Sequence, residues 1–369
     1  MLISDGRYRA RHCSLPTSVR AADLLGGNYL PDCSCSLIQP AKTLEHYWEH
    51  TVGSGHAPLA LRADWQAQLR RCHDELGFRH VRFHALLSDE LGTLTCQDNQ
   101  LLYSFFNADR IIDFLLSIGM RPFVELSFMP ETLASGRTTV FSYRGNVTPP
   151  RDYDQWAALI QKITKHWLDR YGAAEVREWF FEVWNEPNLK AFWTGTQAEY
   201  FELYRRAAGA VKSVDQALKV GGPATADNAW IQEFLDFCAT NSVPVDFVST
   251  HHYPTDAFGL PGADTVTQLE HAPRGGMTAE VAKSRDEARG LADGYSFWTF
   301  SDIFNENYFP FVPFHGGFGI LNLHGIAKPS YRAFQLLHRL GTELMEVHGT
   351  HVTPSTHGRS VKAARSQSC

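Results

Sequence analysis

The chain has 369 residues, 44% hydrophobic, 12% aromatic and 20% charged, with a formal net charge of −6. That balance excludes a chain disordered throughout. Its 34 Lys and Arg are outnumbered by 40 Asp and Glu and form no basic stripe, so no nucleic acid is expected and neutral substrates fit better.

Seven cysteines, at 13, 33, 35, 72, 96, 238 and 369, show no zinc-ligand spacing. They predict a reducing, cytoplasmic setting. Arg7, Arg9 and Arg11 are followed by no apolar run of the signal type, and no stretch is long enough to span a bilayer, so no membrane partner is expected.

Residues 1–42 carry Gly, Pro, Asp and Ser punctuation without periodicity and are expected to form a poorly structured leader. After them, short apolar runs alternate with helical patterns. The strands are expected at 80–87 (HVRFHALL), 121–128 (RPFVELSF), 179–187 (WFFEVWNEP), 218–224 (LKVGGPA), 245–253 (VDFVSTHHY) and 294–302 (GYSFWTFSD). Helical spacing marks 62–76, 107–118, 153–171, 199–214 and 229–240. The alternation predicts an α/β fold derived from a (β/α)8 TIM barrel, in which strand C-termini converge on one mouth.

Several strands end in residues suited to chemistry: His84, Asn185 with Glu186, His251 to Tyr253, and Trp298 to Asp302. Counting by twos places Glu182, Trp184 and Glu186 on one side and Asn185 on the other. It also groups His251 with Tyr253, and Trp298 with Phe300 and Asp302. Within Trp184-Asn185-Glu186-Pro187, a carboxylate at a strand end, fixed between an amide and a chain-turning proline, suits a proton donor.

Four passages together resemble glycoside hydrolase family 39, and within it the bacterial β-xylosidase branch. They are YWEHTVGSGH at 47–56, FEVWNEPN at 181–188, HHYPTD at 251–256 and SFWTFSDIF at 296–304. The resemblance runs over about residues 43–345 and implies retaining hydrolysis of terminal β-linked xylose through two carboxylates. Glu186 matches the general acid/base, whose pKa such chemistry needs raised toward neutrality. Asn185 matches a residue that bonds the sugar 2-hydroxyl. His84, His251 and Tyr253 match residues lining the sugar site, with Trp298 as a stacking platform and Glu306 as a hydroxyl binder. The partner is a small saccharide or xylo-oligosaccharide. No cofactor is implied, and His50, His56, His73 and His80 form no metal set.

The family's nucleophile, in a strand-end motif of the Thr-Glu-Trp-Asn kind, has no counterpart between Tyr253 and Gly294. That interval reads as a loop over 254–276 and one helix over 278–291, too short for a further helix, strand and helix. An internal deletion near 285–290, removing the seventh barrel strand, is therefore expected, together with a poorly closed and destabilised barrel. Among other carboxylates, Glu182 is about 13 Å from Glu186 along the strand. Glu125 reads as a supporting hydrogen-bond group, and Glu270, Glu280 and Glu287 as solvated.

The tail over 346–369 is polar and basic and is expected to be disordered, without the β-sandwich the family continues into. The alternative to an active glycosidase is a non-catalytic carbohydrate-binding or defective relative. Gly221-Gly222-Pro223 lacks the dinucleotide fingerprint, and Gly53-Ser54-Gly55 lacks the spacing of a serine-hydrolase elbow.

Overall fold

A computed structural model of the chain describes residues 18–20, 33–36, 42–253, 293–306, 312–313, 317–349 and 362–364. The chain divides into two units, one of residues 47–335 and one of residues 1–46 with 336–369.

The larger unit is built on seven parallel strands: β1 (Thr51–His56), β2 (His80–His84), β3 (Arg121–Leu126), β4 (Phe180–Val183), β5 (Lys219–Ala226), β6 (Phe247–His251) and β7 (Ser296–Phe297). Their order across the sheet is β6-β5-β4-β3-β2-β1-β7. The fold is thus an incomplete (β/α) barrel, as expected. Among the described residues β6 pairs only with β5 and β7 only with β1, so the ladder does not close between them. The edge at β6 is less protected than the centre, with Val248 44% exposed. The loop, helix and deletion junction expected over 254–292 lie outside the described residues.

The covering helices are α1 (Ala63–Leu76), α2 (Phe106–Ser117), α3 (Tyr153–Tyr171), α4 (Gln197–Val214), α5 (Ile231–Thr240) and α6 (Pro329–His338). Their starts and stops are local. Asp152 caps α3 by accepting from the Asp154 amide at 2.8 Å, and Thr196 with Glu199 makes a capping box on α4. Gly77, at φ 76°, ends α1 where an L side chain is disfavoured. Apolar residues at helical spacing, such as Trp156, Leu159, Ile160, Ile163 and Trp167 on α3, turn inward and are buried.

The first barrel strand, β1, was not among the expected strands, because Thr-Val-Gly-Ser-Gly-His carries one aliphatic residue and two glycines. The glycine is a packing requirement: a Cβ on Gly53 would stand 2.4 Å from Cε3 of Trp298. The hairpin of Leu94–Gln97 and Gln100–Tyr103 was not among the expected strands either, although its two-residue turn, Asp98-Asn99, has the residue types that accept the positive φ found there.

The smaller unit contains antiparallel strands at Ser18–Arg20, Cys33–Ser36, Lys42–Thr43, Glu343–Gly349 and Lys362–Ala364. Within 1–42 and 346–369, expected as leader and tail without regular structure, the described residues therefore include β-structure. Apart from the seven-residue Glu343–Gly349, these strands have two to four residues, too few for alternation to be read.

Candidate active site

The turn after β4 delivers the central residues. Extrapolating the two-residue period beyond Val183 fails, because β4 ends there and Trp184 takes a left-handed φ of 74°. Its indole then leaves the barrel interior, donating from Nε1 to the Phe192 carbonyl at 2.8 Å and packing edge-on against Phe128, Trp156 and Trp193. Asn185, expected on the opposite pleat from Glu182, instead joins it on the guanidinium of Arg82. Glu186, at φ 43°, is held by its amide donating to Ala224 O at 2.8 Å. The loop beyond is clasped by Asn188, which exchanges two hydrogen bonds with the backbone of Ala226. A sharp turn of this kind, braced on both sides, fixes a carboxylate at the rim.

His251, the last residue of β6, places Nδ1 at 2.8 Å from Oε1 of Glu186. His252 turns away toward Asp227 at 3.5 Å. Tyr253 follows two residues beyond the end of the strand, within electrostatic reach of Arg82.

Arg82 sits under the mouth, 6% exposed. Its Nε donates to Glu182 Oε2 at 2.6 Å, and its Nη2 lies 2.8 Å from Glu125 Oε2 and donates to Asn185 Oδ1 at 3.0 Å. Burial disfavours the charge, but Glu125 and Glu182 outweigh it and raise the arginine pKa above its usual range. Glu125 also accepts from the Ser127 hydroxyl. Burial opposes its ionisation too, yet Arg82 and His84 hold its pKa below the ordinary carboxylate value. Because Glu125 is thereby an acceptor, His84 Nδ1, 2.8 Å away, carries the proton of that contact.

The other side of His84 faces Glu306, with Nε2 at 3.5 Å from Oε1. Glu306 is 7% exposed, and its Oε1 has no hydrogen-bond partner within the protein. Burial, followed by the charges of Glu186 and Glu125, pushes its pKa well above the ordinary value. Trp298 stands half-buried beside His84, ring centroids 4.9 Å apart. It does not share a face with Phe300 and Asp302 as counting by twos implied. The strand β7 ends at Phe297, after which Phe300 packs edge-on to Trp65 of α1 and Asp302 pairs with Lys328 at 2.6 Å.

The structure brings all the expected site residues to one end of the barrel: Glu186, Asn185, His84, His251, Tyr253, Trp298 and Glu306. It adds three that the sequence reading did not nominate. Arg82 lies two residues before His84 on the same strand, and inward alternation would have found it. His56 ends β1 with its ring stacked at 4.0 Å on Tyr143 and Nε2 at 3.1 Å from Glu90 Oε2. Tyr143 comes from a loop with no local signal; its hydroxyl is buried without a hydrogen bond, and burial, Glu306, Glu125 and Glu90 raise its pKa. Buried acceptors and donors without protein partners suit the hydroxyls of a sugar, each of which both donates and accepts.

A family model, "Glycosyl hydrolases family 39", matches residues 36–272 and 274–363. A β-xylosidase of Caldicellulosiruptor saccharolyticus is 49% identical over an alignment 344 positions long that takes in 82% of this chain and 70% of that one. A β-xylosidase of Geobacillus stearothermophilus is 39% identical over an alignment 366 positions long that takes in 86% of this chain and 73% of that one. The solved GH39 β-xylosidase of Caulobacter crescentus superposes with a TM-score of 0.76 at 39% identity, covering 84% of this chain and 75% of its own. In the first alignment the 344 positions exceed the 82% of the 369 residues that they take in by about 40, so this chain is shorter than that relative over their shared span.

Proposed function

The chain belongs to glycosyl hydrolases family 39, and from that premise we propose that its barrel mouth binds a terminal β-linked xylosyl unit with Glu186 as general acid/base. The observation carrying this reading is the Glu186 carboxylate at the rim, held by His251 at 2.8 Å beside the buried Asn185. Glu186 would protonate the leaving oxygen, Asn185 would bond the 2-hydroxyl, and His84, Glu306 and Tyr253 would receive the remaining polar edge over Trp298. The β-xylosidases among its relatives support xylose as the sugar.

A retaining reaction also needs a carboxylate nucleophile about 5 to 5.5 Å from the acid. Among the described residues Glu125 and Glu182 are committed to Arg82, and burial beside Glu186 and Glu125 disfavours the ionised form of Glu306 that a nucleophile needs. We therefore propose that the acid half of the site is assembled and the nucleophile half lost with the shortened stretch at 254–293. On this reading the protein binds the sugar and turns it over only with a substitute nucleophile. The shorter aligned span supports the deletion. We take 43–345 as the glycosidase unit and the setting as a reducing one, supported by free thiols at Cys72, Cys96 and Cys238. No helix among the described residues is long and apolar enough to cross a membrane.

The test is turnover of an aryl β-xyloside with and without azide, in the wild type and in Glu186→Gln. Azide attacks C1 from the face opposite the aryloxy group, the C1–O bond breaks with Glu186 supplying the proton, and an inverted xylosyl azide results. Turnover only with azide supports the reading. Turnover without azide that disappears in Glu186→Gln means a second carboxylate completes the site, and the half-site reading is wrong.

A further inference from the structure

We infer that Arg82 is the positioning residue that holds the Asn185 amide in one orientation, so that the site takes a hydrogen-bond acceptor at carbon 2 of the sugar and refuses a 2-ammonium sugar. This rests on the reading above that Asn185 meets the 2-position.

The argument is one of donor and acceptor counting. A guanidinium has five N–H donors and no acceptor. The Asn185 atom 3.0 Å from Arg82 Nη2 must therefore be the carbonyl oxygen, whatever ambiguity an isolated amide would carry. With that oxygen committed to Arg82, the remaining group of Asn185 is its NH2, which only donates. A 2-hydroxyl offers it a lone pair and an ammonium does not.

Arg82 is itself immobilised. Glu182 on the same strand as the Asn185 turn holds Nε at 2.6 Å, and Glu125 on β3 lies 2.8 Å from Nη2. Glu125 in turn fixes the ring of His84 at 2.8 Å. One buried guanidinium thus orients an amide on one wall of the mouth and, through Glu125, an imidazole on the other. Without it the amide is free to turn over and present its oxygen, which an ammonium would satisfy.

The experiment uses the full chain with methyl β-D-xyloside and its 2-amino-2-deoxy derivative, at a pH below the amine's own pKa, with binding followed by tryptophan fluorescence. The wild type is expected to favour the hydroxyl ligand by at least about tenfold. Arg82→Met is expected to bring the two affinities to within about threefold of each other, where loss of a purely structural support would weaken both ligands equally. Arg82→Lys keeps the buried charge should the methionine variant fail a near-ultraviolet circular dichroism check, and is expected to fall between. A second arm needs no sugar: in protein labelled with 15N-asparagine, the Asn185 side-chain amide, identified by its loss in Asn185→Ala, should shift and broaden in the Arg82 variants. An unchanged amide resonance overturns the inference. Equal wild-type affinity for both ligands overturns it as well, while leaving sugar binding intact. Failure of the wild type to bind either sugar refutes the proposed function instead, and the resonance arm then decides the positioning on its own.

Discussion

His251 Nδ1 stands 2.8 Å from Oε1 of Glu186, so the end of β6 secures a carboxylate delivered by the turn after β4, two strands away across the sheet. A proton donor needs a fixed position relative to the leaving oxygen, and this contact supplies it. Glu186→Gln is expected to lower azide-supported turnover of an alkyl β-xyloside by about 10² to 10⁴-fold. The loss should be much smaller for a nitrophenyl xyloside, whose leaving group needs little protonation. Comparison of kcat for the two substrates checks this; equal losses would count against an acid role.

Glu306 should trade stability for binding. Burial, Glu186 and Glu125 keep it protonated after an unfolded-state carboxyl, near 4.5, has ionised. The stability it contributes is therefore present below about 4.5 and lost as pH rises toward its folded value. Glu306→Gln removes the ionisable group at nearly the same shape. Its melting temperature is expected to exceed that of the wild type at pH 7 and to match it at pH 4, while sugar affinity falls. Thermal scans at the two pH values measure the difference.

At the opposite end of the barrel, His50 and His80 stack with centroids 4.8 Å apart, among Phe180, Arg79 and Lys219. Burial lowers each from 6.5 to about 4, with Arg79 and Lys219 adding to the effect at His50 and Asp293 opposing it. At His80 the hydrogen bond to the His50 carbonyl opposes burial, while His50, Arg79 and Arg121 lower it further. Between those pH values the unfolded chain binds protons that the folded one refuses, so stability is full above about 6.5 and declines as pH falls toward 4. For His80 alone the loss at pH 5 is on the order of 2 kcal/mol. His80→Gln should flatten this decline, read as the change in urea midpoint between pH 7 and pH 5.

Gly53→Ala should disturb the sugar platform from beneath. The added Cβ would meet Trp298 Cε3 at 2.4 Å and the Phe297 carbonyl at 3.2 Å. Overpacking of this kind costs about 1 to 3 kcal/mol. The expected result is a lower melting temperature together with weaker xyloside binding and altered tryptophan emission. An unchanged emission spectrum would mean that the indole does not rest on this glycine.

The residue order alone carried the alternation of strands and helices and the identity of the rim residues. Each of these is local: a hydrophobic period, or a polar residue at the end of an apolar run. Glu186, His84 and His251 were legible because each sits within a few residues of a strand end. Which neighbours they meet was not, since His84 reaches Glu125 and Glu306 from other elements, and Arg82 gathers Glu125, Glu182 and Asn185 from two further strands. The two-residue period also misled once β4 had ended, because a single left-handed φ at Trp184 reverses which side chain enters the barrel. The sequence by itself determined the fold's repeating unit and the chemistry available at its rim, whereas contacts distant along the chain decided the raised pKa of Glu306, the tautomer at His84 and the partners of Arg82. Those depend on burial and on charges a few ångströms away in space, which no local pattern encodes.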